Sequence, residues 1–351
     1  MKYYLLGKSG LRVSELALGT MTFGRDWGWG ADASEARKML DVYLERGGNF
    51  VDTANGYTNG SSERILGDIL DKRRERVVLS TKYTLNLHQG DPNGGGNHRL
   101  SMVRSVEESL SRMKTDRIDL LYLHAWDSTT PVEEILRAMD DLVRAGKIVY
   151  VGISDTPAWQ IARMQAIADL RGWSPLIALQ SEYSLVERTT ERDLIPMAKE
   201  MGLGLIPWSP LANGLLTGKY SREDLAPGSG GSSGFSGTRK QLIHNVGQLN
   251  EKVWGIVEAV QEVAQQLGIT AALVALAWLR AKPAVTSILL GARSSEQLQM
   301  NLGVVDVTLE EEHIQKLDAA SAIELGFPHR LLVDNAASRH SVFGGLTVER
   351  R

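Results

Sequence analysis

Cysteine is absent from the 351-residue chain. Disulfide bonds, thiolate nucleophiles and cysteine metal sites are therefore excluded, and the thiol content gives no information about the redox compartment. His88, His98 and His244 fall in predicted loops without the spacing of metal ligands. We therefore expect no metal site.

Long apolar runs and blocks of one charge are also missing. Nowhere does the sequence contain the roughly 18 consecutive apolar residues of a membrane helix, and residues 1–8 lack the apolar core of a signal sequence. The 39 basic and 42 acidic residues include no basic block, so no surface for nucleic acid is indicated. We expect a cytoplasmic protein whose partner is a small molecule, with no nucleic acid and no membrane. The oligomeric state stays open.

The sequence does contain a repeating pattern, in which short apolar runs alternate with helical periods of hydrophobicity. A turn signal at residues 8–10 predicts an N-terminal β-hairpin over residues 2–7 and 11–14. The predicted strands that follow cover residues 16–18, 49–52, 77–82, 118–123, 148–153, 176–180, 203–207 and 286–290. The predicted helices cover residues 34–46, 62–71, 100–113, 132–145, 157–169, 191–200, 249–267, 271–281 and 294–302.

Strict alternation of strand and helix is typical of an α/β protein with a parallel sheet buried on both faces. Eight repeats favour a closed (β/α)8 TIM barrel over an open doubly wound sheet. No Gly-x-Gly-x-x-Gly follows the first strand, which weakens the Rossmann alternative. We expect one domain over residues 1–351, with the barrel and its added helices ending near residue 320 and a C-terminal tail at 321–351.

Two long loops interrupt the repeat at the C-terminal rim of the predicted barrel. Residues 84–99 are rich in glycine, and residues 221–247 contain a low-complexity run of glycine and serine that predicts mobility. Loops of this length at this rim are more often lids or substrate walls than accidents. The roles of both loops and of the tail stay open.

Four chemically complementary side chains, Asp52, Tyr57, Lys82 and His124, lie at or just after the ends of predicted strands. The carboxyl ends of parallel strands share one rim, so we expect the four to converge. A Lys82 ammonium lowers the pKa of a neighbouring phenol from its usual value of about 10, which makes Tyr57 a better proton donor. Asp52 can hold Lys82 in place, and a neutral His124 can orient a carbonyl oxygen.

Each of these residues alone has an ordinary structural interpretation, as a turn residue, a packed aromatic, an exposed lysine or a core histidine. Their joint placement favours the functional interpretation. None of the four is a redox group, so a carbonyl reduction would need a hydride donor such as a nicotinamide cofactor.

The motifs around these residues resemble those of a known family. Residues 48–57, Gly-Asn-Phe-Val-Asp-Thr-Ala-Asn-Gly-Tyr, and residues 62–67, Ser-Glu-Arg-Ile-Leu-Gly, resemble the aldo-keto reductase signature. Later motifs at 80–82, 119–124 and 207–212 follow in the family's order. The resemblance covers residues 1 to about 320 and is closest to the aryl-alcohol dehydrogenase-like and potassium-channel β-subunit branch. It implies a (β/α)8 barrel, NADPH and a catalytic tetrad matching Asp52, Tyr57, Lys82 and His124.

The resemblance also implies a set of residues that contact NADPH or NADP⁺. At the nicotinamide end these are Gly19, Thr20, Met21 and Asp52, with Ser154, Asp155 and Gln180 at the carboxamide and Trp208 stacked on the ring. Around the pyrophosphate they are Ser209, Pro210, Leu211, Gly214, Leu216, Gly218 and Lys219. At the adenosine 2′-phosphate and adenine they are Gly291, Ala292, Arg293, Ser294, Gln297 and Asn301.

Two of these positions also have a direct physical interpretation. Arg293 precedes a predicted helix amino terminus, where backbone N–H groups and the helix dipole attract phosphate and a guanidinium adds a bidentate partner. This favours NADP over NAD. Asp155 departs from the family, which usually has asparagine after Ser154. An ionised carboxylate cannot donate, so its bond to the carboxamide must use the amide NH₂.

We therefore expect an NADPH-dependent oxidoreductase that reduces an aldehyde or ketone to the alcohol, with Tyr57 as general acid. The alternatives are a cofactor-binding regulatory subunit on the same barrel and an alcohol dehydrogenase that works oxidatively. Trp27, Trp29 and Trp126 follow the first and fourth strands and could wall an apolar or aromatic substrate pocket. Ordinary packing at the rim explains them nearly as well.

Overall fold

The computed structural model describes residues 1–222, 249–333 and 342–346, and the structural statements below concern these residues. The chain begins with a hairpin in which β1 (Tyr3–Leu5) pairs antiparallel with β2 (Arg12–Ser14). Its turn requires glycine, because Gly7 has φ +55° and a Cβ there would lie 2.3 Å from the carbonyl oxygen of Ile177. The hairpin is thereby held against the amino-terminal end of the main sheet.

Eight parallel strands form that main sheet. They are β3 (Leu16–Gly19), β4 (Phe50–Asp52), β5 (Val78–Tyr83), β6 (Ile118–Leu123), β7 (Ile148–Ser154), β8 (Leu176–Glu182), β9 (Gly204–Trp208) and β10 (Ile288–Gly291). They pair in chain order, and β10 returns to pair with β3. The barrel closes between β9 and β10, where the Thr286 N–H donates to the Leu205 carbonyl over 2.9 Å. The predicted (β/α)8 TIM barrel with an N-terminal hairpin is confirmed.

Helices cover the outside of the barrel and extend beyond it. They are α1 (Ala33–Glu45), α2 (Ser61–Leu70), α3 (Arg99–Met113), α4 (Val132–Arg144), α5 (Ala158–Arg171), α6 (Leu194–Met201), α7 (Glu251–Leu267), α8 (Ala271–Arg280), α9 (Ser295–Leu302), α10 (Glu311–Ala320) and α11 (His329–Val333). Most predicted boundaries lie within three residues of these. A short 3₁₀ turn, Thr189–Glu191, delays the start of α6, and β8 continues past its predicted end to Glu182.

The core has two parts, as expected for strands buried on both faces. Apolar side chains fill the space between the strands and the surrounding helices. A smaller cluster fills the barrel interior and includes Phe50, Leu120, Tyr122, Ala178 and Ile206. Side chains alternate along a strand, so the next inward positions towards the carboxyl ends carry the polar residues of the barrel mouth. The apolar cluster inside the barrel lies directly beneath these polar residues and closes the site on that side.

The glycine-rich loop after β5 is fixed to its neighbour. Asn97 is fully buried; its N–H donates to Asp127 Oδ2 and its Oδ1 accepts from the Asp127 N–H, both over 2.7 Å. The Asn97 amide also donates to the Thr84 hydroxyl and to the Ala125 carbonyl. Residues 84–99 are therefore held against the loop that follows His124.

The second long loop, predicted over residues 221–247, lies outside the described residues after Arg222. The described part of the tail includes α11, where His329 Nε2 approaches Asp193 Oδ1 to 2.9 Å. Among the described residues no single helix has the length and apolar character to cross a membrane. By length and composition alone, only the bent pair of α7 and α8 would pass that test together.

Candidate active site

The centre of the barrel mouth is a buried ion pair. Lys82 on β5 donates from Nζ to Asp52 Oδ2 over 2.5 Å and to the Thr53 carbonyl over 2.8 Å, and neither charged side chain reaches solvent. The other carboxylate oxygen of Asp52 accepts from the Ser80 hydroxyl at 2.7 Å and from Gln180 Nε2 at 3.1 Å. Each charge is thus satisfied by several partners, which a buried pair requires for stability.

The third donor contact of Lys82 reaches Tyr57, whose hydroxyl lies 3.2 Å from Nζ. Tyr57 is turned toward the lysine by a tight turn, in which Thr58 and Asn59 adopt left-handed φ values of 45° and 53°. The buried Thr58 hydroxyl donates to the Phe23 carbonyl over 2.6 Å and accepts from the Ser62 N–H over 3.0 Å. These bonds offset the strain of two non-glycine residues in that conformation.

His124 completes the group from the end of β6. Its ring stands edge-on to the Tyr57 ring at a centroid distance of 5.9 Å. The four residues predicted to converge therefore do so. Burial, with the nearby Lys82 ammonium, lowers the pKa of His124 to about 3. The imidazole is thus neutral near pH 7 and available as a hydrogen-bond donor or acceptor.

The protonation states of the lysine and phenol follow from competing effects. Burial disfavours the charged lysine, but the Asp52 carboxylate and the Tyr57 phenol outweigh it, so the pKa of Lys82 is raised. Burial also raises the pKa of Tyr57, and the Lys82 ammonium opposes that rise without cancelling it. The expected lowering of the Tyr57 pKa by Lys82 is therefore present, but burial dominates. Tyr57 is a protonated phenol at neutral pH.

The residues expected at the carboxamide lie beside this centre. Gln180 in β8 and Ser154 at the end of β7 are both buried. Burial raises the pKa of the neighbouring Asp155 carboxyl, and bonds from the Trp208 indole and the Ser154 hydroxyl oppose that rise. Trp208 ends β9 and donates from its indole nitrogen to Asp155 Oδ1 over 3.1 Å. At the end of β3, the buried Thr20 hydroxyl donates to the Asp52 carbonyl over 2.9 Å, with Gly19 before it and Met21 after it.

The chain after β9 forms an irregular turn in which several residues have left-handed backbone conformations. Ser209, Ala212, Asn213, Gly214 and Gly218 all have positive φ. A Cβ on Gly214 would lie 3.3 Å from the Lys219 ammonium, so the lysine head stands over this turn. Several N–H groups of this turn already donate within it, those of Ala212 and Asn213 to the Ser209 carbonyl and hydroxyl and that of Gly214 to the Leu211 carbonyl. The Lys219 ammonium is therefore the principal group here for an anion. Pro210 is buried and Leu211 half-buried here, and Leu216 packs into the core.

At the far end of the site, Arg293 is exposed just before α9 and forms no ion pair among the described residues. Several N–H groups at this helix start already have partners. Glu35 Oε1 accepts from the Ser295 N–H over 2.6 Å, Ser294 caps the Gln297 N–H, and Gln297 Oε1 accepts from the Arg293 N–H over 2.9 Å. The sequence interpretation missed the Glu35 contact, which lies 260 positions away in the chain. The guanidinium is thus the principal group here for an anion, with Gly291 and Ala292 preceding it and the buried Asn301 one turn beyond Gln297.

The three tryptophans that could wall the substrate pocket each lie against another tryptophan ring. The rings of Trp27 and Trp29, in the loop after β3, have centroids 5.7 Å apart and planes tilted by 52°. Trp126, after β6, meets the exposed Trp159 edge-on at 5.6 Å. The sequence interpretation did not assign Trp159 to the site, because its position in the helical period of α5 predicts an ordinary surface residue. Glu182 and Ser80 were also missed, although strand alternation puts them on the inward faces that carry Gln180 and Lys82.

Comparison with known proteins identifies the family. The model of the aldo/keto reductase family matches residues 15–322. The chain belongs to the aldo/keto reductase family. It is 38% identical over 340 residues to a norsolorinic acid reductase of Aspergillus flavus, covering 94% of this chain and 83% of that protein. It is 34% identical over 346 residues to an aryl-alcohol dehydrogenase [NADP(+)] of Phanerodontia chrysosporium, covering 93% of this chain and 87% of the relative.

A bacterial relative extends the comparison. An uncharacterised oxidoreductase, YrpG, of Bacillus subtilis is 38% identical over 330 residues, covering 91% of this chain and 95% of that protein. This aldo-keto reductase is therefore an oxidoreductase that acts on a carbonyl or alcohol group. Its similarity to aryl-alcohol dehydrogenases and norsolorinic acid reductases confirms the expected branch.

Proposed function

We propose that this aldo-keto reductase reduces an aldehyde or ketone with NADPH and that Tyr57 delivers the proton. The observation that carries the proposal is the Tyr57 hydroxyl 3.2 Å from the ammonium of Lys82, which is itself ion-paired with Asp52. A phenol held against a buried ammonium can release a proton to an oxyanion because the phenolate that remains is stabilised.

Three features of the chain fit an NADP cofactor. The buried Ser154 hydroxyl can bond a carboxamide, and Gln180, its register partner on β8, offers a second amide contact. The Lys219 ammonium, which lies over the turn after β9, suits a pyrophosphate. The Arg293 guanidinium, without an ion pair in the part of the chain that the structure describes, suits a 2′-phosphate.

The residues of the site then have separate tasks. NADPH, when bound, supplies the hydride to the carbonyl carbon. Tyr57 donates its hydroxyl proton to the carbonyl oxygen, and Lys82 stabilises the resulting phenolate. The neutral His124 orients the carbonyl oxygen by hydrogen bonding. Asp52 keeps Lys82 charged and aimed at Tyr57, with Ser80 and Gln180 fixing the carboxylate.

A multiple-turnover assay tests the proposal. NADPH oxidation is followed at fixed protein concentration with a panel of aromatic aldehydes, aryl ketones, sugars and dicarbonyl compounds. The names of the relatives and the Trp126–Trp159 pair favour the aromatic members as substrates. Sustained turnover with any member supports an enzyme. Tight NADPH binding with at most one turnover across the panel would instead favour a cofactor-binding regulatory role on the same barrel.

Arg293 provides a test of cofactor choice. We expect Arg293→Ala to weaken NADPH binding about tenfold, because a charge-assisted hydrogen bond to phosphate contributes about 1.5–3 kcal/mol and the site is exposed. NADH binding is expected to change little. Dissociation constants for both cofactors, measured by fluorescence titration, check this. Arg293→Lys is the matched control and should lose less, since it keeps the charge but not the bidentate geometry. Equal losses for NADPH and NADH in the alanine variant would contradict the assignment.

A further inference from the structure

Glu182 is a half-buried carboxyl group that the proposed chemistry leaves unused. It lies two residues beyond Gln180 on β8, so both side chains point to the inside of the barrel. Gln180 on that face reaches Asp52, which places Glu182 one layer higher, at the mouth. Its register partner on β9 is Trp208. No ion pair or side-chain hydrogen bond of Glu182 is found within residues 1–222, 249–333 and 342–346.

Asp155 brings a second carboxyl group to the same place. It follows Ser154 at the end of β7, and its Oδ1 accepts from the Trp208 indole over 3.1 Å. Trp208 is therefore bonded to one carboxyl group and in register with the other. Trp208 is also the residue expected to carry the nicotinamide ring. Two acidic side chains thus lie on either side of Trp208, on which the nicotinamide ring is expected to stack. That ring is neutral in NADPH and positively charged in NADP⁺.

We propose that Glu182 and Asp155 make this site prefer the oxidised, cationic nicotinamide of NADP⁺ over the neutral ring of NADPH, and that protonation of Glu182 removes much of the preference. This inference rests on the proposed function, because it needs the cofactor seated against Trp208. Opposite charges attract more strongly in a partly desolvated mouth than in water. Tighter binding of the oxidised form makes bound NADPH the stronger hydride donor, which favours reduction over alcohol oxidation.

The charged groups around Glu182 determine the direction of the pH effect. Burial, with the Glu187 and Asp155 carboxylates adding to it, raises the pKa of Glu182 to about 7. Lys82 on β5 and Arg188 beyond β8 are already paired, Lys82 with Asp52 and Arg188 with Glu191 and Asp318. Below that pKa Glu182 is neutral and above it is an anion, so the preference for NADP⁺ rises as the pH rises. By linkage, NADP⁺ binding lowers the pKa of Glu182 and releases part of a proton.

Binding measurements on the full chain test this. Dissociation constants for NADP⁺ and NADPH are measured between about pH 5.5 and 8.5, and their ratio is plotted against pH. The 2′-phosphate titrates in both cofactors, so its effect cancels in the ratio. We expect the preference for NADP⁺ to increase about fivefold or more across this range, a typical size for coupling between sites. Calorimetry in two buffers of different ionisation enthalpy should show more proton release with NADP⁺ than with NADPH, and the difference reports Glu182 because the 2′-phosphate is common to both.

Two variants assign the effect. Glu182→Gln keeps the shape of the side chain and should remove most of the rise, which leaves the ratio near its acidic wild-type value. The Asp155 carboxyl, whose pKa burial also raises, accounts for any remainder. Glu187→Gln should move the midpoint to lower pH while keeping the amplitude, because it removes only a carboxylate that raises the Glu182 pKa. A flat ratio in the wild type, or an unchanged rise in Glu182→Gln, would overturn the inference and leave the proposed function standing. Failure of both cofactors to bind would overturn the proposed function as well.

Discussion

Replacing Tyr57 by phenylalanine is expected to lower the rate of carbonyl reduction by about 10²–10⁴-fold, the usual contribution of a positioned general acid. The substitution removes the hydroxyl that lies 3.2 Å from Lys82 Nζ and leaves the aromatic ring in place. NADPH binding should stay nearly intact, because no cofactor contact is assigned to the hydroxyl. Single-turnover rates with saturating NADPH separate this loss from an effect on binding.

The neighbouring Tyr83 provides the matched control. Its side chain is buried, and its hydroxyl donates to the Asn97 carbonyl over 3.3 Å on the opposite face of β5 from Lys82. Tyr83→Phe should therefore retain the wild-type rate. Undiminished reduction by Tyr57→Phe would refute the role of this phenol, whereas a strong loss in both variants would point to general damage around β5.

The sequence could predict the barrel and the convergence of its polar residues because both follow from local patterns. Each strand is a short apolar run, and the period of two puts Asp52, Lys82 and Gln180 on inward faces. Parallel strands in chain order then bring those faces together without knowledge of any long-range contact. The positions of Tyr57 and His124 follow for the same reason, since both lie just beyond strand ends.

Other features depend on contacts between distant residues, which periodicity cannot encode. The Asn97–Asp127 pair fixes the loop after β5, whereas the composition of that loop shows only that it is rich in glycine. Glu35 accepts a hydrogen bond from the Ser295 N–H at the start of α9, where the sequence interpretation expected backbone N–H groups to bind phosphate. The net pKa of Tyr57 also depends on burial, which opposes the charge effect that the residue types predict.

Replacing Lys82 by methionine is expected to destabilise the fold by about 3–5 kcal/mol, because it leaves the Asp52 carboxylate buried without its counter-charge. The side chains of both residues are fully inaccessible, so water cannot replace the lost ammonium. Ser80 and Gln180 still donate to Oδ1, but Oδ2 loses the ammonium that donates to it. Chemical denaturation at neutral pH measures the change in the free energy of unfolding.

The double variant Asp52→Asn with Lys82→Met shows whether the loss comes from the unpaired charge or from packing. The uncharged asparagine side chain keeps an acceptor for Ser80 and needs no counter-ion, so the double variant should be more stable than Lys82→Met alone. If the double variant were as unstable as the sum of the single ones, the methionine would be a poor fit and the ion pair would not explain the loss. Carbonyl reduction should stay low even where stability returns, because Tyr57 then has no ammonium to stabilise its phenolate. The ion pair thus costs desolvation in the fold, and under the proposed function its presence is explained by the chemistry of Tyr57 more than by stability.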